Sequence, residues 1–71
     1  MTYWTVRAYA SWSDVDRGRI AHDSRHATAA EAAAVYDALD LPIADLIRHD
    51  PALDGRGGGR VTAGRAPEYP A

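Results

Sequence analysis

The chain has no cysteine, which removes the commonest staple of small folds. At 71 residues it can bury only about 60% of the surface that its unfolded form exposes. Domains of this size usually lean on disulfides, a metal or a second subunit. With disulfides excluded, apolar patterning has to specify most of the fold. The same absence rules out thiolate zinc sites and thiol catalysis, and it fits a reducing cytoplasm. The length allows one domain.

Residues 3–12 alternate. Trp4, Val6, Ala8, Ala10 and Trp12 fall on one side, and Tyr3, Thr5, Arg7, Tyr9 and Ser11 on the other. That period of two marks a half-buried strand with its tryptophan side inward. A turn is expected over Ser13–Gly18, where Asp14, Asp16 and Gly18 supply the backbone freedom of a reversal. Arg19–Ser24 then runs back as the second strand of a hairpin.

Thr28-Ala29-Ala30-Glu31 is a capping box, in which the threonine hydroxyl and the glutamate each satisfy the other's backbone amide. Alanine, the best helix former, dominates the next turns. Ala32, Val35, Tyr36 and Leu39 form one stripe at helical spacing, so a helix runs from this box to about Leu39. Pro42 restarts the chain. Ile43, Leu46 and Ile47 favour a short second helix ending near His49 or Asp50, while Ala44–Arg48 also reads with period two as a strand. Pro51 closes either alternative. Gly55–Arg60 reads as a flexible glycine loop, Arg60–Arg65 as a last edge strand, and residues 66–71, with Pro67 and Pro70, as a flexible tail.

The expected architecture is α+β: a single compact domain over residues 1–65. A small antiparallel sheet, built on the N-terminal hairpin with a third strand at the C-terminal end, carries the main helix on its tryptophan face. Tyr3, Thr5, Arg7 and Tyr9 are left on the other face, with nothing in the chain to cover them.

No motif for chemistry completes itself. His22 and His26 stand four apart beside Asp23, but they precede the capping box and so lie in extended chain. At ~3.3 Å per residue their backbones are more than about 12 Å apart, too far for the helical two-histidine metal arrangement. Asp14-Val15-Asp16-Arg17-Gly18 begins like a calcium loop but lacks its later oxygen ligands. The glycine loop has neither the Lys-Ser/Thr pair of a phosphate loop nor the interleaved aromatics of an RGG segment. No nucleophile is paired with a base and an oxyanion site, so catalysis, cofactor and metal are all not expected. No apolar run approaches the ~20 residues of a membrane span, and no signal-peptide core is present. A soluble cytoplasmic protein is expected.

Charge is sorted by position. Residues 1–25 set Arg7, Arg17, Arg19 and Arg25 against Asp14, Asp16 and Asp23, a net of +1. Residues 26–54 set Arg48 against Glu31, Asp37, Asp40, Asp45, Asp50 and Asp54, a net of −5. Residues 55–71 set Arg56, Arg60 and Arg65 against Glu68, a net of +2. Separated fields of this kind steer partners. They leave two candidate binding surfaces: the acidic block of Asp37 and Asp40 on the main helix with Asp45, Asp50 and Asp54 after it, and the uncovered strand face of Tyr3, Arg7 and Tyr9. Tyrosine and arginine are enriched at binding hot spots.

The expected function is therefore that of a non-enzymatic binding protein which occupies a basic surface of a larger protein complex. Its aspartates would stand where phosphates sit. In size, one-domain layout and acidic block the chain resembles the small anti-CRISPR inhibitors of phages and mobile elements. That resemblance implies binding to a CRISPR effector and blocking of target DNA binding or cleavage. Those inhibitors share no common fold, so it assigns no residue roles. Direct contact with nucleic acid is not favoured, and no membrane partner is expected. The alternative is a small nucleic-acid-binding or regulatory module that uses the hairpin arginines. A third arrangement is a homodimer through the open sheet face.

Overall fold

The computed structural model describes residues 1–54 and 59–69. Four strands and three helices succeed one another: β1 (Tyr3–Tyr9), α1 (Trp12–Arg17), β2 (His22–His26), α2 (Ala29–Ala38), β3 (Ile43–His49), α3 (Pro51–Asp54) and β4 (Arg60–Arg65). The strands form one sheet in the order β2-β1-β3-β4, with every neighbouring pair antiparallel. The fold is thus α+β, with β1 and β2 adjacent as expected. No helix among the described residues is long and apolar enough to cross a membrane.

Register fixes the two faces, because residues opposite each other on neighbouring strands share a face. Trp4, Val6 and Ala8 pair with His26, Ser24 and His22 on one side and with Arg48, Leu46 and Ala44 on the other. This is the face that α2 covers. Tyr3, Thr5, Arg7 and Tyr9 share the opposite face with Asp23, Arg25, Asp45, Ile47 and His49. The tryptophan side of β1 lies under the main helix, as its alternation requires.

The core between the layers is small. Val6, Ala8, Ala32 and Ala44 are buried there, and Val6 is the largest side chain sealed from solvent, while Ile43, also buried, pairs with Tyr9 on the opposite face beside Trp12 and Val15. Ala8 and Ala44 on the sheet and Ala32 on α2 are all fully buried, so methyl groups stand in place of bulky side chains and the helix can sit low on its strands. Trp4, Leu46, Val35, Tyr36 and Leu39 are half-buried or at the margin around them.

Helix α2 begins as its capping box dictates. Thr28 is extended, at φ −129° and ψ 151°, and its hydroxyl accepts from the Glu31 amide at 3.2 Å. Its other end is closed from a distance. Arg65, the last residue of β4, donates from Nε to the Leu41 carbonyl at 3.1 Å, from Nη1 to that of Tyr36 at 3.1 Å, and from Nη2 to that of Leu39. The same guanidinium lies 4.8 Å from the centre of the Tyr36 ring. A cation on the orphan carbonyls of a helix C-terminus satisfies both their hydrogen bonding and the helix dipole.

Three expectations need correction. Residues 43–49 are a strand, not a second helix. They pair with β1 on one side and β4 on the other, and two ladders outweigh one turn of apolar spacing. The chain at Ser13–Gly18 is not a tight turn either. β1 stops at Tyr9, and residues 12–17 are a helix whose Ser11 hydroxyl accepts from the Asp14 amide. This helix ends at Gly18 (φ 68°), with Arg19 N–H donating to the Asp14 carbonyl and Gly18 N–H to that of Val15. Such an ending needs a left-handed residue, which glycine supplies without strain. The second strand accordingly starts at His22 rather than Arg19. Finally, the sheet has four strands. β4 carries a bulge at Thr62, opposite the Leu46/Ile47 step, and the Thr62 hydroxyl donates to the Leu46 carbonyl at 3.1 Å. Of the glycine loop expected at Gly55–Arg60, residues 55–58 lie outside the described residues, as do residues 70–71 of the tail.

Thr28→Ala removes one cap bond and should lower unfolding free energy by about 1 kcal/mol. Arg65→Met keeps the stem but leaves three part-buried carbonyls without their charged donor. It should cost about 2 kcal/mol or more, clearly exceeding the threonine variant in urea denaturation.

Candidate functional site

The face opposite α2 is divided between its two ends. At the lower end, where β1 stops and β3 starts, α1 and residues 66–69 lie over it. Trp12 donates from Nε1 to the Pro67 carbonyl at 3.0 Å, and its ring meets that of Tyr69 at 5.1 Å. The Tyr69 hydroxyl donates to Asp16 at 2.9 Å. A depression of about 300 Å³ remains among Tyr9, Trp12, Val15, Ile43 and Asp45. The segment expected as a tail thus rests on α1 as far as Tyr69.

The upper end stays open. Tyr3 and His49 are register partners, and their rings stack at 4.6 Å with 8° between planes. On the other side of Tyr3 the guanidinium of Arg25 lies 4.0 Å from the ring centre. Three planar groups from β2, β1 and β3 therefore stand in a row across the sheet. Thr5 Oγ1 and His49 Nε2 are hydrogen-bonded at 2.9 Å, while His49 Nδ1 is buried with no hydrogen-bond partner among the described residues. Gly59 closes the far side of the row: a Cβ there would collide with Ile47 and stand 2.7 Å from His49 Cε1. Only glycine allows that approach.

Arg7 and Asp23 are opposite each other below the row. Their side chains meet at 3.5 Å and are 45% and 46% exposed. A half-exposed pair at that distance contributes little to stability and is easily exchanged for another partner. Tyr3, Thr5, Arg7, Asp23, Arg25 and His49 rim a shallow depression of about 460 Å³.

The residues singled out from sequence are therefore not all brought together. Tyr3 and Arg7 share the open depression. Tyr9 is on the same face but sits at its covered end, half-buried beside Ile43. Asp37 and Asp40 are at the C-terminal end of α2, on the helix side of the sheet. Asp45 lies at the same end of the molecule but on the opposite face, half-buried beside Gly64. Sequence reasoning names Arg25 only among the hairpin arginines and misses His49, although parity places both on this face once β2 and β3 are known. It misses Arg65 because nothing local connects that residue to a helix 26 residues away.

The two histidines lie in extended chain, as expected. His22 and His26 do share a face, under α2, and their backbones are well apart. Yet both rings turn toward the residue between them: Ser24 Oγ is 2.8 Å from His22 Nε2 and 2.7 Å from His26 Nε2. With one proton on its hydroxyl, Ser24 accepts from at least one ring. The arrangement ties three side chains on an edge strand. Among the described residues no group of three or more His, Cys, Asp or Glu side chains is placed to hold a metal.

No protein-family model, curated protein or solved structure matches this chain.

Tyr69 should report on the contact between α1 and the C-terminal segment. Its hydrogen bond to Asp16, and then the charge of that carboxylate, push the phenol above its ordinary value of 10.0. A raised value means that the folded contact holds the proton. The contact is fully present below pH ~10 and is lost as pH rises through the raised value. In an absorbance titration one of the four tyrosines should ionise later than the rest, and Asp16→Asn should abolish that delay.

Proposed function

We propose that this is a non-enzymatic binding protein that occupies a basic surface of a larger complex with the acidic end of its fold. The observation that carries the reading is the position of Asp37 and Asp40. They stand in the last turn of α2 and just beyond it, and neither has an ion-pair partner among the described residues. A carboxylate there opposes the helix dipole and costs about 0.3–1 kcal/mol at an exposed site. Arg65 offsets the dipole from inside, through the backbone carbonyls, but forms an ion pair with neither aspartate, so both carboxylates are left to an outside cation.

Topology gathers further charge at this end. Asp14 and Asp16 are on α1, and Glu68 lies beyond β4. Arg17 and Arg19 stand there too, beside the start of β2, while the guanidinium of Arg65 is engaged by backbone carbonyls. The acidic sector is thus the β3 side of the lower end, with Asp37 and Asp40 outermost. A nucleic-acid-handling protein is the partner with the matching chemistry, because it presents arginines and lysines spaced for phosphates and aspartates can occupy those positions. This is the mode of action that the resemblance to small anti-CRISPR inhibitors implies.

A nuclease-treated pull-down from host lysate should recover a stoichiometric nucleic-acid-handling complex. Asp37→Arg with Asp40→Arg should abolish that recovery while leaving the melting temperature unchanged or raised, since the dipole penalty is relieved. Undiminished recovery would make the aspartates a solvated surface only.

A further inference from the structure

We propose a second binding site, independent of the acidic end: the upper half of the open sheet face binds single-stranded nucleic acid. Arg25 and Arg7 take its phosphates, and the Arg25–Tyr3–His49 row offers a planar end to a base. Arg25 is the key residue. Its guanidinium lies at 4.0 Å over the Tyr3 ring, and among the described residues it has no carboxylate partner. Tyr3 cannot yield, because His49 is stacked against its other face. His49 is held in turn by Thr5 and by the close approach of Gly59. The guanidinium is thus oriented by the ring beneath it, with its N–H edges and its outer face unused. A fork held this way loses less side-chain freedom on binding than a free arginine does.

Arg7 supplies the second cation. Thr5 faces Arg25 and Arg7 faces Asp23 in the β1–β2 register, which makes Arg7 and Arg25 diagonal neighbours on one face. Diagonal Cβ atoms are about 7–8 Å apart, close enough for two arginines to serve neighbouring phosphates of one strand. The weak pairing of Arg7 with Asp23 can exchange for such a contact. Asp37 and Asp40 of the acidic sector are at the opposite end of the fold.

A single strand suits this face better than a duplex or an acidic peptide. The surface is shallow and its distinctive feature is a planar stack, which can add an exposed base but cannot reach one inside a helix. An acidic peptide satisfies the arginines and leaves the stack without a role.

The test is fluorescence anisotropy of a short labelled oligothymidylate titrated with the full chain across a salt series. Binding is expected at low salt, with a log–log slope of about −1.4 for two phosphates at −0.7 each. Arg25→Ala and Arg25→Lys should each weaken it about tenfold, the loss of one stacked contact, since lysine keeps the charge but not the plane. Tyr3→Ala removes the plane beneath Arg25 and should weaken binding by a similar factor, with the melting temperature read alongside so that loss of the stack is told apart from loss of the fold. Asp37→Asn with Asp40→Asn should leave binding unchanged, so failure here and failure of the acidic-end reading are distinguishable. The proposal is overturned if wild type does not bind at low salt, if Arg25→Lys binds as well as wild type, or if a duplex or poly-glutamate binds more tightly than the single strand.

Discussion

Arg65 joins parts of the chain that are far apart in sequence and lie in different layers. A helix laid over a sheet has to end somewhere, and α2 ends over the junction with β3 with its last carbonyls turned toward protein. Three carbonyls there, of Tyr36, Leu39 and Leu41, receive the guanidinium of a residue from the last strand. One side chain therefore closes the helix, fixes the path from helix to strand, and ties the edge strand β4 to the opposite layer. Two of the residues near that helix end are aspartates. Their charge would aggravate the carbonyl end of the dipole were no cation present, so an acidic end of α2 is tolerable because Arg65 sits inside it.

The rest of the architecture depends on how little there is to bury. Four buried apolar residues between the layers, three of them alanine, cannot hold a thick layer, and their small size brings α2 close to β1 and β3. A thin core of this kind covers one face of four strands and leaves the second to other means. At the lower end those means are α1 and the segment running to Tyr69, joined through Trp12. At the upper end, polar and planar side chains cover one another instead, as the Arg25–Tyr3–His49 row shows. The open half of the sheet is therefore an outcome of size as much as of function, and its chemistry rather than its exposure distinguishes it.

Much of this is legible in the sequence wherever a signal is local. The alternation from Tyr3 to Tyr9 gives the correct inward face, and Thr28 with Glu31 places the start of α2. Parity alone makes the N-terminal strand too long, because Trp12 keeps step with Trp4 and Val6. Ser11, Asp14 and Gly18 carry a helix start and stop of their own, and that cap-and-glycine signal is stronger than one more matching parity. Residues 43–49 are ambiguous for a physical reason: a central strand with half-buried residues on both faces loses its clean alternation. Of the candidate site, Tyr3 and Arg7 are visible through their place on the uncovered face, but their neighbours are not. Neither Arg65 on α2 nor Tyr3 on His49 can be had from any spacing, since register between distant strands is a property of the assembled sheet.

The sorting of charge along the sequence carries over to the molecule only in part, and the topology explains how. Strand β3 runs from the lower end to the upper, so the acidic stretch that precedes and opens it is delivered to the lower end. Residues at its far end, Arg48 and His49, arrive at the upper end beside Arg25 from β2 and Arg60 from β4. Asp50 follows His49 and pairs with Arg48, and Glu31 opens α2 at the same end, so what sets that end apart is not net charge but the guanidinium of Arg25 on the open face. A molecule built this way can meet a basic protein with one end and a phosphate backbone with the other. Both are offered together by a protein bound to nucleic acid, so the two proposed surfaces are compatible with one nucleoprotein partner as well as with separate ones.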